Sequence, residues 1–341
     1  MTKLINTITD TWYHQIPKVE LHLHLEGAIP IKALWKLIQK YGGDPTVPNY
    51  QSLEKRFQYR DFTHFIETWM WKNGYLREYE DFTFISEAVA RDLALQNIRY
   101  TEAFFSPVDF ARHGLRTQEL AEAIRKGLEK VDQTEIKLIP DLVRTTPLNS
   151  ASRTLAEINE VKDLGIIGIG IGGPEQGYPP ESFAKIFAQA RQMGFYTNAH
   201  AGEAAGAESI WGAIRSLKVD RIGHGTRAYE DDSLVEYLVE NRIPLEMCPI
   251  SNVRTAVVDS IETHPIRAYY ERGVFITVNT DDPKMFGNTL AQEYELLQNR
   301  LGFSREDIRN LIINAIHASW LTSENKYLLE EEFVQHPDWK I

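Results

Sequence analysis

The chain has 341 residues, 43% of them hydrophobic and 25% charged, with a formal net charge of −11. This balance fits a globular enzyme with a large core and disfavours broad binding to nucleic-acid phosphates or anionic membranes, which needs a basic face. The single cysteine, Cys248, excludes an internal disulfide and suits a reducing compartment, so a cytoplasmic location is expected.

Met1 to Pro17 contains no apolar h-region, so no signal peptide is expected, and no apolar run approaches the roughly 18 residues of a membrane span. The first strand is predicted over Lys18–Leu25 and carries His22-Leu-His24 near its end. Two histidines at i and i+2 on a strand share a face, so both rings can reach one metal ion. Alone, such a pair is a weak signal. A helix follows, marked by Leu34, Leu37, Ile38 and Tyr41 at a spacing near 3.6.

A long insertion separates the first strand from the second. Between Phe57 and Tyr79 it carries Phe62, Phe65, Ile66, Trp69, Trp71 and Tyr75. These aromatics could merely pack the outside of the molecule. An insertion after a strand emerges at the face where the strands end, and that favours a helical cover over a site. The next helix is marked by Phe82, Ile85, Val89 and Leu93.

Further strands are predicted over Ile98–Ser106, Ile136–Arg144 and Gly165–Gly172, the last within a glycine-rich run ending at Gly173. That run allows either close backbone packing or a close ligand approach. Phe183, Ile186, Phe187 and Ala190 mark a helix, which Gly194 ends. The remaining strands are predicted over Phe195–Gly202, Arg221–Gly225, Pro244–Pro249 and Val274–Thr280, with Gly273 ending the helix before the last. The acidic segment Glu330–His336 reads as a solvated helix end.

Eight β-then-α units predict one (β/α)8 barrel domain over residues 1–341. An open doubly wound sheet is the alternative, but no Gly-x-Gly-x-x-Gly opens a helix after the first strand. Polar residues recur where strands end: His200 and Glu203, His224, Asp281 and Asp282. In a barrel these ends converge on one mouth. Zinc takes His nitrogen and carboxylate oxygen, so His22, His24, His200 and Asp281 form a candidate ligand set. The fourth strand has no lysine to carboxylate into a metal bridge, so one zinc per chain is expected rather than two. Asp282 would face away from Asp281 on an extended strand and is read as a substrate contact. His14, His64, His113, His264, His317 and His336 are read as structural or surface residues.

Val19-Glu-Leu-His-Leu-His-Leu-Glu-Gly27, His200-Ala-Gly-Glu203, Arg221-Ile-Gly-His-Gly225 and Thr280-Asp-Asp282 resemble the signature blocks of the adenosine deaminase family, in the family's order and over nearly the whole chain. The resemblance implies a barrel with one zinc held by His22, His24, His200 and Asp281. It implies that Glu203 protonates purine N1 and that His224 orients the zinc-bound hydroxide and accepts its proton. Asp282 would meet N7 and the Gly173 backbone N–H would meet N3. The implied reaction turns adenosine into inosine with release of ammonia; free adenine and aminodeoxyfutalosine are the alternatives. Only a small purine is expected as partner, with no nucleic acid and no membrane. Two departures concern the sugar side. Glu26 stands where the typical adenosine enzyme has Asp against the 5′-hydroxyl, and Gly170-Ile-Gly-Gly-Pro-Glu175 replaces Asp-Leu-Ala-Gly-Asp-Glu. Glu26 is therefore a candidate sugar contact, and His24 is counted among the substrate-binding residues as well as the ligands. A non-catalytic purine-binding barrel and a binuclear amidohydrolase are the readings from other classes.

Overall fold

A computed structural model describes residues 12–340. Most of the segment considered for a signal peptide lies outside the described residues.

Eight strands run in chain order: β1 Lys18–His24, β2 Ile98–Phe105, β3 Glu135–Val143, β4 Gly168–Gly172, β5 Tyr196–Ala201, β6 Arg221–His224, β7 Leu245–Met247 and β8 Ile276–Val278. Each pairs in parallel with the next. Beyond β8 the ring closes onto β1: Asp281 N–H donates to His22 O at 3.0 Å, and His24 N–H donates to Asp281 O at 2.9 Å. The fold is thus the expected (β/α)8 barrel, and the open sheet is excluded. Strand ends that are far apart in sequence meet at one rim.

Every residue of β1 is buried. Its period of two puts Val19, Leu21 and Leu23 on one face and Lys18, Glu20, His22 and His24 on the other. The polar face survives burial because it is paired. Lys18 Nζ donates to the carbonyls of Tyr13, His14 and Ile16, and Glu20 accepts from Thr280 N–H at 2.7 Å. Deeper, Arg221 bridges Glu102 and Glu246, each at 2.5 Å. A buried charge without such partners costs several kcal/mol, roughly 3–5 when one partner of a pair is removed.

The expected helices form, with apolar stripes on the barrel. Ile31–Lys40 buries Leu34, Leu37 and Ile38, and Tyr79–Leu95 buries Phe82, Ile85, Val89 and Leu93. Boundaries shift where local chemistry overrides pattern. β7 stops at Met247, short of the predicted Pro249, because that proline lacks an N–H for the ladder and opens the helix Pro249–Arg254. β8 stops at Val278, because the Asn279 side chain takes the N–H groups of Leu21 and His22 at 2.8 and 3.2 Å. The acidic tail is not wholly solvated: Phe333 on the helix Ser323–Gln335 is fully buried. No described helix is long and apolar enough to cross a membrane.

Candidate active site

The β1 to β8 rim opens into a cavity floored by polar residues and roofed by the insertion. Asp61 caps the helix Phe62–Asn73, accepting from His64 N–H at 2.8 Å. From that helix Phe62, Phe65, Ile66, Trp69 and Met70 line the cavity. Trp71 and Tyr75 do not; both hydrogen bond Asp44, at 2.7 and 2.6 Å. The expected cover is therefore one face of one helix, and the other aromatics anchor it.

On the floor, His24, His200, Glu203, His224, Asp281 and Asp282 converge with Gly173. His22 lies just beneath. Its Nδ1 bonds Glu246 Oε2 at 2.7 Å, which leaves Nε2 buried with no hydrogen-bond partner and 3.6 Å from Asp281 Oδ1. His24 Nε2 stands 3.0 Å from His200 Nε2 and 3.4 Å from Asp281 Oδ1. His200 is turned the same way by a bond from Nδ1 to the Ile171 carbonyl at 3.1 Å. Donor atoms of His22, His200, His224 and Asp281 all lie within 4.8 Å of one another. This cluster shares three members with the set expected from sequence and has His224 in place of His24; His24 joins it through its contacts to His200 and Asp281, so five donors converge.

This donor set fits zinc. An orphaned ring nitrogen backed by a carboxylate on its other nitrogen is the arrangement that orients a metal-binding imidazole. Burial, reinforced by the other basic groups nearby, holds His22, His24 and His224 well below the usual histidine range, and burial brings His200 down to about 4. All four are neutral, as ligation requires. Burial also pushes Asp281 up to about 7, against the Ser251 hydroxyl that bonds it at 2.6 Å. Nearby positive charge would return it to the carboxylate form.

Backbone geometry aims these groups. His224 and Asp281 have φ of 60° and 65°, a left-handed conformation that is costly for residues with a Cβ and is held here by the packed rim. The turn at Asp281 corrects one expectation. Asp281 and Asp282 do not alternate across an extended strand; both carboxylates line the cavity. Asp282 fits because Gly27 has no side chain: a Cβ there would lie 1.6 Å from Asp282 Oδ1. That oxygen is buried and unpartnered.

Glu203 lies beyond β5, with Oε2 3.6 Å from His224 Nε2. Burial, then the charges of Asp281 and Glu175, raises its carboxyl well above the usual range. Its loop is clamped by Glu175, whose carboxylate accepts from the N–H groups of Gly202, Glu203, Ala204 and Ala205 at 2.6–3.0 Å. Glu26 is not where the sequence suggested. It is fully buried outside the cavity wall, and Oε1 accepts from Ser106 N–H at 2.9 Å. The chain turns immediately after His24, so the two-residue alternation that would aim Glu26 at the mouth has ended.

Sequence reading missed Asp141, Glu175, Glu246 and Asn252. Asp141 lines the cavity with Oδ1 unpartnered and occupies the space that side chains at Gly170 and Gly172 would fill, 2.8 and 2.5 Å from their Cβ positions. The glycine run thus makes room for a neighbouring acid. The available signal was a lone charged residue inside a short apolar strand, as in Leu245-Glu-Met247.

The adenosine deaminase family profile matches residues 17–336. Aminodeoxyfutalosine deaminase of Streptomyces avermitilis is 34% identical over 322 residues, 93% of this chain and 90% of that protein. Adenine deaminase of Bordetella avium is 36% identical over 315 residues, 92% of this chain and 99% of that protein. An amidohydrolase from Burkholderia ambifaria solved with bound zinc superposes with a TM-score of 0.88 at 26% identity, covering 97% of this chain and 94% of that one.

Proposed function

The chain belongs to the adenosine deaminase family, whose members similar to it deaminate adenine-type substrates, and on that premise we propose that it is a zinc-dependent aminohydrolase acting on an uncharged 6-aminopurine nucleoside, adenosine foremost. The observation that carries this reading is the pairing of Glu203 with His224 beside the histidine and aspartate cluster at the cavity floor.

His22, His24, His200 and Asp281 would hold one zinc ion. When bound, zinc lowers the pKa of its water towards 7 and so supplies hydroxide at neutral pH. Glu203, kept protonated by burial, donates to the purine ring nitrogen next to the reacting carbon, which makes that carbon electrophilic enough to take the oxygen; the amino group then takes up a proton and leaves with the C–N electron pair as ammonia. His224 holds the attacking oxygen in line. Asp282, also held well above the usual range by burial and by Asp281, presents a proton to the other ring edge, and the Gly173 backbone meets the opposite edge. The apolar roof from Phe62 to Met70 excludes water. Glu26 acts through Ser106 rather than by touching the sugar. We read the whole chain as a single catalytic domain working in a reducing cytosol.

No lysine or arginine among the described residues lines the cavity, while Asp109 and Asp141 do. The wall is otherwise mostly apolar and Arg227 stands only in the adjoining groove, so a phosphate inside the cavity itself is disfavoured. Free adenine and aminodeoxyfutalosine form a second reading, favoured by the names of the relatives above. Measuring kcat/KM with ammonia release for adenosine, 2′-deoxyadenosine, adenine, 5′-modified adenosines and AMP tests this reading. We expect activity on uncharged 6-aminopurines, adenosine leading, and at least tenfold less on AMP, the equivalent of about 1.4 kcal/mol. Preference for AMP, or no turnover in the panel, would overturn it. Metal analysis should give about one zinc per chain.

A further inference from the structure

The ring of His224 lies inside the same donor cluster as His22, His200 and Asp281. Distance alone therefore does not separate a metal ligand from a hydrogen-bond donor. The buried groups behind the ring do. The Ile266 backbone N–H lies 3.2 Å from His264 Nδ1. A backbone amide can only donate, so His264 Nδ1 accepts, and the proton of this neutral ring sits on Nε2. His264 Nε2 lies 3.2 Å from Asn252 Oδ1. That contact fixes the amide so that its NH2 group faces His224 Nδ1, at 3.1 Å. His224 Nδ1 is then an acceptor, and its own proton is on Nε2, pointing to Glu203 Oε2 at 3.6 Å.

We propose that Asn252 and His264 are positioning residues: a one-way hydrogen-bond relay from the Ile266 amide sets the tautomer of His224, which keeps His224 off the metal and makes its Nε2–H a donor to the attacking oxygen. A protonated ring nitrogen has no lone pair for zinc. The relay thus decides which four of the five converging donors ligate. Asn252 is fully buried and His264 is 4% exposed, so neither link is open to bulk water. Asn252 is carried by the short helix that follows β7, and His264 lies just before Pro265 and the helix Ile266–Glu271. Both links therefore hang on the loops of a single barrel sector. The tautomer stands on hydrogen-bond direction alone; its consequence for turnover rests on the deaminase reading above.

The test is long-range 1H–15N correlation spectroscopy of zinc-loaded protein labelled at histidine, together with kinetics. In the unmodified protein the ring protons of both His264 and His224 are expected on Nε2. Asn252→Asp offers only acceptors, so the His224 proton should move to Nδ1. The bare Nε2 then becomes a further zinc donor: zinc should bind at least as tightly in chelator competition, while kcat falls roughly 10²-fold with KM close to the unmodified value. His264→Gln keeps an N–H at the same place and should retain the tautomer and far more turnover than His264→Leu. A proton on His224 Nδ1 in the unmodified protein would overturn the proposal, and that measurement needs no variant. An Asn252→Asp protein with unchanged tautomer and kcat would overturn it equally. If no 6-aminopurine is turned over yet His224 carries its proton on Nε2, the deaminase reading fails and the relay stands.

Discussion

Glu203 and His224 face each other across 3.6 Å at the end of two adjacent strands, and their environments push their protonation in opposite senses. The carboxyl stays protonated because burial and two neighbouring carboxylates disfavour its charge; the imidazole stays neutral because burial and four other rings disfavour its own. A proton-donating acid and a neutral ring that serves as a hydrogen-bond donor result. Glu203→Gln preserves size and hydrogen bonding but cannot release a proton as an acid. We expect kcat to fall by roughly 10²–10⁴ with zinc content intact, as general acid catalysis contributes on that scale. Steady-state kinetics with metal analysis checks it, and near-normal turnover would remove Glu203 from the chemistry.

At the scale of elements, two devices hold the site. The first is the β4 to β5 clamp, in which one Glu175 carboxylate gathers four successive N–H groups and so fixes the loop bearing Glu203. Glu175→Gln replaces an acceptor oxygen with a donor facing donors. A shift of about 1 Å in a reacting group costs on the order of 10²-fold, so kcat should drop on that order although Glu175 is not among the proposed metal ligands. Unchanged kcat would show that the loop is held by other contacts. The second device is the roof helix Phe62–Asn73. Trp69 contacts the His24 ring edge-on, with centroids 5.8 Å apart, and donates to Asp109 at 3.2 Å. Trp69 is only partly buried and faces the cavity, so Trp69→Ala should raise KM for nucleosides while Tm changes little. A large loss of Tm with KM unchanged in the folded fraction would make Trp69 a packing residue instead.

For the whole molecule, the proposed ligands come from β1, the end of β5 and the segment after β8, so a bound ion ties together the seam where the ring closes. A ligand that binds only the folded state stabilises it by RT ln(1 + [L]/Kd), about 2.7 kcal/mol at a hundredfold excess over Kd. Removing zinc with a chelator should therefore lower Tm by several degrees and abolish activity, and restoring zinc should reverse both. Calorimetry that gives the same Tm with and without chelator would contradict a metal at the closing seam.

The amino-acid order establishes the alternation of strands and helices, because burial on both faces of a parallel strand and on one stripe of a helix leaves periodic apolar patterns that need no partner to be read. It also determined the chemistry at the strand ends, since His22, His24, His200, His224, Glu203, Asp281 and Asp282 interrupt or follow those runs. How these groups relate emerges in three dimensions. Ring closure sets Asn279 against Leu21, 258 residues away, and turns Asp281 into a left-handed conformation, so the two aspartates share a cavity that an extended strand would have denied them. It also places Glu26 behind the wall, lets Asp141 fill the space left by Gly170 and Gly172, and sets Glu246 against His22. These are contacts between strands, and local sequence carries no record of which distant residue will occupy the far side of a hydrogen bond.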